Sequence, residues 1–257
     1  MDWFEVVFLS LVQGLTEFLP VSSSGHLVII QSFMGFEEPP VILDVVLHVG
    51  TLLAVFFYFR RELINILFGL LKKERESFSI TFLVLIGSLP AVLVGGIFEN
   101  QINETFGFLK INGWFFLLTA ILLFSTYFVK KNNRQFNQLN WKDALIVGLF
   151  QALAILPAVS RSGATIATSL WRGASRQTAF RFSFYLFIPA ILGALALQIP
   201  ELAKSSNGDL IQYLLGMLLA GFSGYLSLII LESVLKSAKL YLFGFYCLIL
   251  GVIILLI

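Results

Sequence analysis

Long apolar runs dominate the chain and determine its predicted elements. Six stretches are nearly free of charge over the length of about 20 residues that a helix needs to cross the hydrocarbon core of a bilayer. They are approximately Val41 to Phe59, Ile80 to Phe98, Gly113 to Val129, Phe182 to Ile199, Ile211 to Leu231 and Leu240 to Ile257. The pattern therefore predicts six transmembrane helices and an all-α polytopic membrane protein.

Two further apolar regions, residues 1–36 and 143–174, are interrupted near their middles by proline and by runs of serine and glycine. Irregular backbone leaves N–H and C=O groups unpaired in lipid, so it must be buried in protein or line a wet cavity. We expect each region to form a re-entrant pair of helices. One helix enters the membrane, the chain turns at the proline, and a second helix returns.

The composition excludes a water-soluble globular domain. Of the 257 residues, 58% are hydrophobic and only 12% are charged, and the mean hydropathy is +0.91; soluble domains carry about 25% charged residues. The net charge of +2 gives no indication of a nucleic-acid partner. Cys247 is the sole cysteine, which excludes intrachain disulfides and thiolate metal clusters, and we expect it to be a packing residue.

Lysine and arginine concentrate in alternate loops, and cytoplasmic loops are the ones enriched in these residues. Residues 1–40 contain none, and the intervening loops hold only Lys110 and Lys204. The distribution predicts that both termini lie on the outer face. The basic loops carry Arg60, Arg61, Lys72, Lys73 and Arg75; Lys130, Lys131, Arg134 and Lys142; Arg172, Arg176 and Arg181; Lys236 and Lys239.

The two broken regions resemble each other in sequence. Three spans lie between them, so the second region starts on the opposite face from the first. We predict one membrane domain over residues 1–257, built as an inverted-topology repeat of residues 1–130 and 140–257, approximately. The matching segments are Gln13-Gly14-Leu15 with Gln151-Ala152-Leu153, Leu19-Pro20 with Leu156-Pro157, and Ser22-Ser23-Ser24-Gly25 with Ser160-Arg161-Ser162-Gly163.

Opposed re-entrant pairs would bring two serine-rich tips to the membrane midplane, where helix N-termini offer free amides and positive dipole ends to an anion. Gln13 and Glu17 are four residues apart, on one helix face just before the first tip. Arg161 is the basic residue that the loop pattern leaves inside the apolar layer. That position costs about 2.5–3.5 kcal/mol on insertion scales, so an anionic ligand or an acidic partner is expected.

These side chains suit a phosphate group, which arginine binds in a bidentate manner. Glu17 would repel a phosphate unless Glu17 is protonated or a divalent cation, held by Glu17 and Gln13, bridges the two. His26 can act as nucleophile or as general acid and base. Ser23 can act as nucleophile once a base takes its proton. The residues expected to surround the phosphate are Ser22, Ser24, Ser160, Ser162 and Thr165.

Other interpretations stand beside this one. Hydroxyls in membrane helices often serve packing, and a buried Glu17–Arg161 pair can be purely structural. We expect His48 to pack within a span and Asp44 to lie near an interface. Inverted repeats with broken helices are also typical of secondary transporters, so a transporter or flippase for an anionic lipid or solute is the alternative function. A pure scaffold gives no reason for polar tips.

The two tips together resemble a known family, the undecaprenyl pyrophosphate phosphatases of the bacitracin-resistance type. The first segment is Gln13-x-x-x-Glu17 followed by Phe18-Leu19-Pro20-Val21-Ser22-Ser23-Ser24-Gly25-His26, and the second is Pro157-Ala158-Val159-Ser160-Arg161-Ser162-Gly163-Ala164-Thr165. The resemblance covers essentially the full chain, including its length and the spacing between the tips.

The resemblance implies hydrolysis of undecaprenyl pyrophosphate to undecaprenyl phosphate and inorganic phosphate, which recycles the lipid carrier of cell-wall synthesis and confers bacitracin resistance. It implies Glu17, Ser23, His26 and Arg161 as catalytic residues and Mg²⁺ or Ca²⁺ as the cofactor. It places the protein in the bacterial inner membrane, among membrane lipid, with a site that opens to the outer face. The resemblance leaves open whether the protein forms a homodimer.

Two positions depart from the family pattern. Gln13 stands where the family accepts Glu or Gln, which removes one possible anionic metal ligand. Ala158 follows the second proline, where the family usually has glycine. A positive φ there would be unfavourable for alanine.

Overall fold

The computed structural model describes residues 2–36, 41–130, 133–204 and 210–257, and helices account for nearly all of the ordered structure in these ranges. They contain no β-strand. The helices are α1 (Trp3–Phe18), α2 (Ser23–Phe33), α3 (Val41–Tyr58), α4 (Arg60–Leu71), α5 (Arg75–Ile97), α6 (Glu99–Phe106), α7 (Leu109–Ser125), α8 (Trp141–Leu153), α9 (Arg161–Trp171), α10 (Arg176–Lys204), α11 (Leu210–Lys236) and α12 (Leu242–Leu256).

Five helices are long and apolar enough to cross a membrane: α3, α5, α7 with its following turn to Phe128, α10 and α11. This confirms an all-α polytopic membrane protein. The sixth predicted span is shorter than expected, because α12 has only 15 residues, about 22 Å of helix. Large apolar side chains stay exposed on the outer faces of the spans, including Leu85, Leu218 and Phe222, as lipid contact requires.

Both broken regions form two helices joined by a short turn. In the first, α1 ends at Phe18 and α2 starts at Ser23; in the second, α8 ends at Leu153 and α9 starts at Arg161. Serine caps both returning helices: Ser22 Oγ accepts the Gly25 N–H at 3.4 Å, and Ser160 Oγ accepts the Gly163 N–H at 3.1 Å. The inverted relationship between the two halves stays a prediction.

Each turn contains one residue in the left-handed region. Ser22 has φ 67° and Ala158 has φ 61°. The chain therefore adopts, at Ala158, the positive φ that favours glycine. Thr119 of α7 supports this turn, because its hydroxyl donates to the Ala158 carbonyl and accepts the Ser160 N–H, both at 3.0 Å.

Small residues allow the first helix of each broken region to approach a long helix closely. α1 packs against α11 at Gly14, where an added Cβ would lie 2.4 Å from the Ala220 carbonyl oxygen. α8 packs against α5 at Gly148, where an added Cβ would lie 2.3 Å from the Gly87 carbonyl oxygen. Close helix contacts through small residues are typical of membrane interiors. These contacts fix the depth and direction of α1 and α8.

An ion cluster fixes the start of α8 outside the predicted spans. The Asp143 carboxylate accepts hydrogen bonds from Arg134 at 2.7 Å, from Arg172 at 2.8 Å and from the Asn140 N–H at 3.0 Å. Burial acts to raise the pKa of Asp143, but these donors outweigh it and hold the pKa below its usual value.

Two helices were not among the predicted elements, namely α4 and α6. α4 begins with Arg60, Arg61 and Glu62 and exposes large apolar residues such as Phe68 and Leu71. Of the basic residues used to orient the chain, Lys131 lies outside the described residues. For Lys204 only the backbone is described.

Candidate active site

Glu17 stands at the centre of a buried polar cluster formed by the ends of α1, α2 and α9. Its carboxylate accepts hydrogen bonds from Gln13 Nε2 at 3.0 Å and from the Ser23 hydroxyl, and it pairs with Arg161 Nη2 at 3.1 Å. The Glu17 side chain is 7% exposed. The structure thus brings together four predicted site residues from two regions 144 positions apart.

The Arg161 guanidinium has contacts with Phe187 and Glu17, but one of its terminal nitrogens lacks a hydrogen-bond partner among the described residues. The Phe187 ring centroid lies 4.0 Å from its guanidinium carbon, and Nη2 is engaged by Glu17. Nη1 is buried and has no hydrogen-bond partner in the part of the chain that the structure describes. An unpartnered charged donor is costly in a buried site. The free nitrogen is therefore poised for an anion that also reaches the cluster.

Most of the predicted phosphate-binding hydroxyls have partners within the protein. Ser22 and Ser160 cap helices, and each also lies near the hydroxyl two residues on: Ser22 is 3.2 Å from Ser24, and Ser160 is 3.3 Å from Ser162. Thr165 contacts the Ser183 hydroxyl at 2.6 Å and donates to the Arg161 carbonyl at 2.8 Å. Thr165 therefore faces α10, whereas the four serines lie at the starts of α2 and α9.

His26 lies in the next turn of α2 but faces away from Glu17. Its Nδ1 donates to the Ser22 carbonyl at 2.6 Å, and its Nε2 lies 2.6 Å from the Tyr246 hydroxyl. The His26 ring stacks on Tyr246 and meets Phe116 edge to face. Among the described residues, none of Glu17, Ser23 and Arg161 has a hydrogen bond to His26. The two nucleophile candidates therefore have different hydrogen-bond partners.

Two residues that were expected to play structural roles border the cluster. His48 Nε2 lies 3.9 Å from Glu17 Oε2. His48 Nδ1 donates to the Asp44 backbone carbonyl at 2.7 Å, and Gln31 Nε2 donates to the Asp44 carboxylate at 3.1 Å. His48 therefore lies within α3, as expected, and also borders the Glu17 cluster.

The Glu17 cluster has the donor set for a divalent cation that is completed by substrate. The described residues contain no group of three His, Cys, Asp or Glu side chains able to hold a metal on their own. Gln13 Oε1, however, is buried without a hydrogen-bond partner beside Glu17. Mg²⁺ commonly binds one or two carboxylates together with substrate phosphate oxygens. Glu17 and the free Gln13 oxygen fit that pattern.

An apolar groove of about 500 Å³ opens beside the first turn. Tyr246 lines it and also contacts His26, so the groove begins next to α2. Its lining residues are Thr16, Leu19, Val21, Val234, Leu242, Phe243 and Tyr246.

Sequence reasoning missed three contributors to this region: Phe187, Tyr246 and the role of His48. Phe187 and Tyr246 lie in apolar runs with no distinguishing neighbours. Their contacts with Arg161 and His26 arise only from helix packing, since Tyr246 is 220 positions from His26. For His48, the sequence did carry a signal, because a histidine inside a span is rare and often functional.

Comparison with known proteins gives a consistent result. The family model for the bacitracin resistance protein BacA matches residues 6–253. An undecaprenyl-diphosphatase of Desulfatibacillum aliphaticivorans is 37% identical, with 98% of this chain and 97% of that protein covered. One of Halothermothrix orenii is 37% identical, covering 100% and 98%. Undecaprenyl-diphosphatase 3 of a Bacillus cereus strain is 38% identical, covering 100% and 97%.

Proposed function

This chain belongs to the bacitracin resistance protein BacA family, and from that membership and the Glu17 cluster we propose that it is an undecaprenyl-diphosphatase. It hydrolyses undecaprenyl diphosphate to undecaprenyl phosphate and inorganic phosphate. The observation that carries the proposal is the buried Ser23–Glu17–Arg161 arrangement, in which Arg161 Nη1 has no partner.

Arg161 and the two helix N-termini bind the diphosphate. The Gly25 and Gly163 N–H groups are capped by Ser22 and Ser160, and the first-turn N–H groups of α2 and α9 that precede them have no acceptors within their helices. These groups carry the positive ends of the helix dipoles. Arg161 Nη1 adds a charge-assisted hydrogen bond while Nη2 stays on Glu17. Phosphoryl transfer depends largely on such positioning and charge neutralisation.

Ser23 is the nucleophile in this proposal. Its hydroxyl already donates to Glu17, which takes the proton as Ser23 Oγ attacks the terminal phosphorus and undecaprenyl phosphate leaves. Water then cleaves the phosphoserine and releases inorganic phosphate. His26 is less suited to attack or to act on Ser23, because its Nε2 is hydrogen-bonded to Tyr246. His26 and Tyr246 instead fix the first turn of α2.

Glu17 and Gln13 would hold the divalent cation, Mg²⁺ or Ca²⁺. The cation would supply charge neutralisation between the carboxylate and the phosphate oxygens. With either cation, Glu17 accepts the Ser23 proton and Arg161 Nη1 binds the diphosphate.

The prenyl tail of the substrate lies in the apolar groove beside Tyr246. The apolar lining of this groove supports a lipid substrate that stays in the bilayer while its head group enters the cluster. The protein resides in the bacterial inner membrane, both termini and the opening of the site lie on the outer face, and residues 1–130 and 140–257 form inverted repeats. The alternation of basic loops supports this orientation.

A transporter or flippase would bind the anion without cleaving it. Phosphate release from undecaprenyl diphosphate by the purified chain, in lipid nanodiscs with Mg²⁺, with Ca²⁺ or with a chelator, separates the two functions. We expect release that requires a cation. Binding of the lipid without release under any cation would reject hydrolysis and leave transport as the function.

A further inference from the structure

The chain has two histidines, and they offer an internal comparison. Each donates its Nδ1 proton to the backbone carbonyl four residues earlier in its helix segment, His26 to Ser22 and His48 to Asp44. A carbonyl oxygen can only accept, so in both neutral rings Nε2 carries the lone pair. For His26, the Tyr246 hydroxyl lies 2.6 Å from Nε2 and serves as the donor.

His48 Nε2 has no such donor among the described residues. Glu17 Oε2, another acceptor, lies 3.9 Å from His48 Nε2. Glu17 Oε2 already accepts hydrogen bonds from Gln13 and Ser23, and the gap between it and His48 Nε2 leaves room for a cation that both atoms could bind. The separation suits one ion, because metal–nitrogen and metal–oxygen bonds of about 2.0–2.2 Å can reach both atoms.

The surroundings of the gap supply further oxygen and hold the ring in place. Gln13 Oε1 is buried without a partner next to Glu17. Asp44 lies beside His48 on α3, and its carboxylate is fixed by Gln31. A backbone carbonyl bonded to the far nitrogen of a ligating histidine is the usual outer shell of such a metal site.

We propose that His48 Nε2 is a direct ligand of the catalytic divalent cation, together with Glu17 and Gln13. This rests on the proposed function for the identity of the reaction, but not for the binding of the ion. An imidazole ligand favours transition metals over Ca²⁺ and Mg²⁺. The site therefore binds Mn²⁺ more tightly than the two oxygen-preferring ions.

The test uses Mn²⁺ on the full chain, purified without a histidine tag. Mn²⁺ affinity is measured by electron paramagnetic resonance, and pulsed spin-echo modulation detects nitrogen bound to the metal. The matched variants are His48→Gln and His26→Gln, since these are the only two imidazoles. Melting temperature without metal shows that each variant is folded.

We expect a nitrogen signal in the parent chain and in His26→Gln. In His48→Gln the signal is lost and Mn²⁺ affinity falls about 10- to 100-fold or more. A signal that survives His48→Gln, Mn²⁺ bound with no nitrogen signal in the parent, or no Mn²⁺ binding at all would each overturn the proposal. Phosphate release without the nitrogen signal would support the phosphatase function and reject His48 as a metal ligand. The nitrogen signal without phosphate release would support His48 as a metal ligand and reject the phosphatase function.

Discussion

Glu17 has several partners at once: Gln13, Ser23 and Arg161 all contact its carboxylate. Removing one member of a buried ion pair leaves the other charge uncompensated, at a cost of about 3–5 kcal/mol. The free Arg161 nitrogen indicates that the pair is built to receive a third, anionic partner. In the proposed function, the cluster therefore combines folding stability with substrate binding.

Ser23→Ala removes the proposed nucleophile but keeps both members of the Glu17–Arg161 pair. We expect the kcat for phosphate release to fall about 10²-fold or more, with little change in KM, because the lost interaction belongs to the transition state. Ser32→Ala is the control, an exposed serine on the same helix. Steady-state kinetics decide; a kcat for Ser23→Ala equal to that of the control would remove Ser23 from the mechanism.

At the scale of single residues, the sequence predicted which side chains belong to the cluster better than it predicted their contacts. The spacing of Gln13 and Glu17 placed both on one helix face, and Arg161 stood out as a charge within an apolar layer. The orientation of His26 toward Tyr246 was not predictable, because it depends on where the packing of α12 against α7 places Tyr246. The positive φ at Ala158 was indicated by the family pattern, because the family usually has glycine at this position.

Among the helices, the approach of α1 to α11 determines where Glu17 lies. Gly14 is three residues before Glu17, and its hydrogen is the only substituent that the α11 backbone allows there. Ser227 of α11 also donates to the Gly14 carbonyl at 3.0 Å. The close contact and the hydrogen bond together fix the height of α1.

Gly14→Ala should therefore push α1 away from α11. We expect a loss of about 1–3 kcal/mol in stability from overpacking and a lower kcat because Glu17 moves. Gly193→Ala is the control: this helical glycine has open space around its Cβ position. Thermal unfolding and phosphate release measure both effects, and a Gly14→Ala protein as stable and active as Gly193→Ala would contradict the packing argument.

Asp143 links the start of α8 to Arg134 and Arg172, and this contact gives acid sensitivity. The folded-state pKa of Asp143 lies below the usual value of about 3.9. The contribution of ionised Asp143 to the free energy of unfolding is therefore present above about pH 3.9 and is lost as the pH falls through the folded-state pKa.

Asp143→Asn should cost about 1.5–3 kcal/mol at neutral pH, the range for hydrogen bonds to a charged group. The difference in melting temperature between parent and variant should shrink below pH 4. A difference that stays constant from pH 7 to pH 3 would show that ionisation of Asp143 does not matter.

The elements themselves were largely predictable from hydropathy, since five predicted spans coincide with long apolar helices. The exceptions have physical reasons. α4 mixes charged residues with exposed apolar ones, so no uniform apolar run marks it. The last predicted span begins at Leu240, but α12 starts only at Leu242 and ends at Leu256.

Across the whole molecule, the broken helices matter because they carry backbone amides into an apolar layer. Long helices cover both pairs: α11 lies against α1, and α5 against α8. This cover excludes lipid from the turns, which could not exist exposed to hydrocarbon. The basic loops predict the orientation of the whole arrangement.

The orientation can be read by chemical labelling. In a Cys247→Ala background, Gly107→Cys and Lys239→Cys each place one thiol at an exposed position on opposite predicted faces. A membrane-impermeant maleimide should label position 107 in intact cells and position 239 only after lysis. The reverse labelling would invert the topology and move the opening of the site to the cytoplasm.

The most direct test of the account compares phosphate release from undecaprenyl diphosphate by the parent, Glu17→Gln, Arg161→Ala and the control Ser237→Ala, all in nanodiscs with Mg²⁺. Loss of a preorganised charged contact costs about 10²–10³-fold in rate. We predict at least that loss for Glu17→Gln and Arg161→Ala and none for Ser237→Ala. Release by folded Glu17→Gln and Arg161→Ala at the parent rate would show that hydrolysis takes place elsewhere.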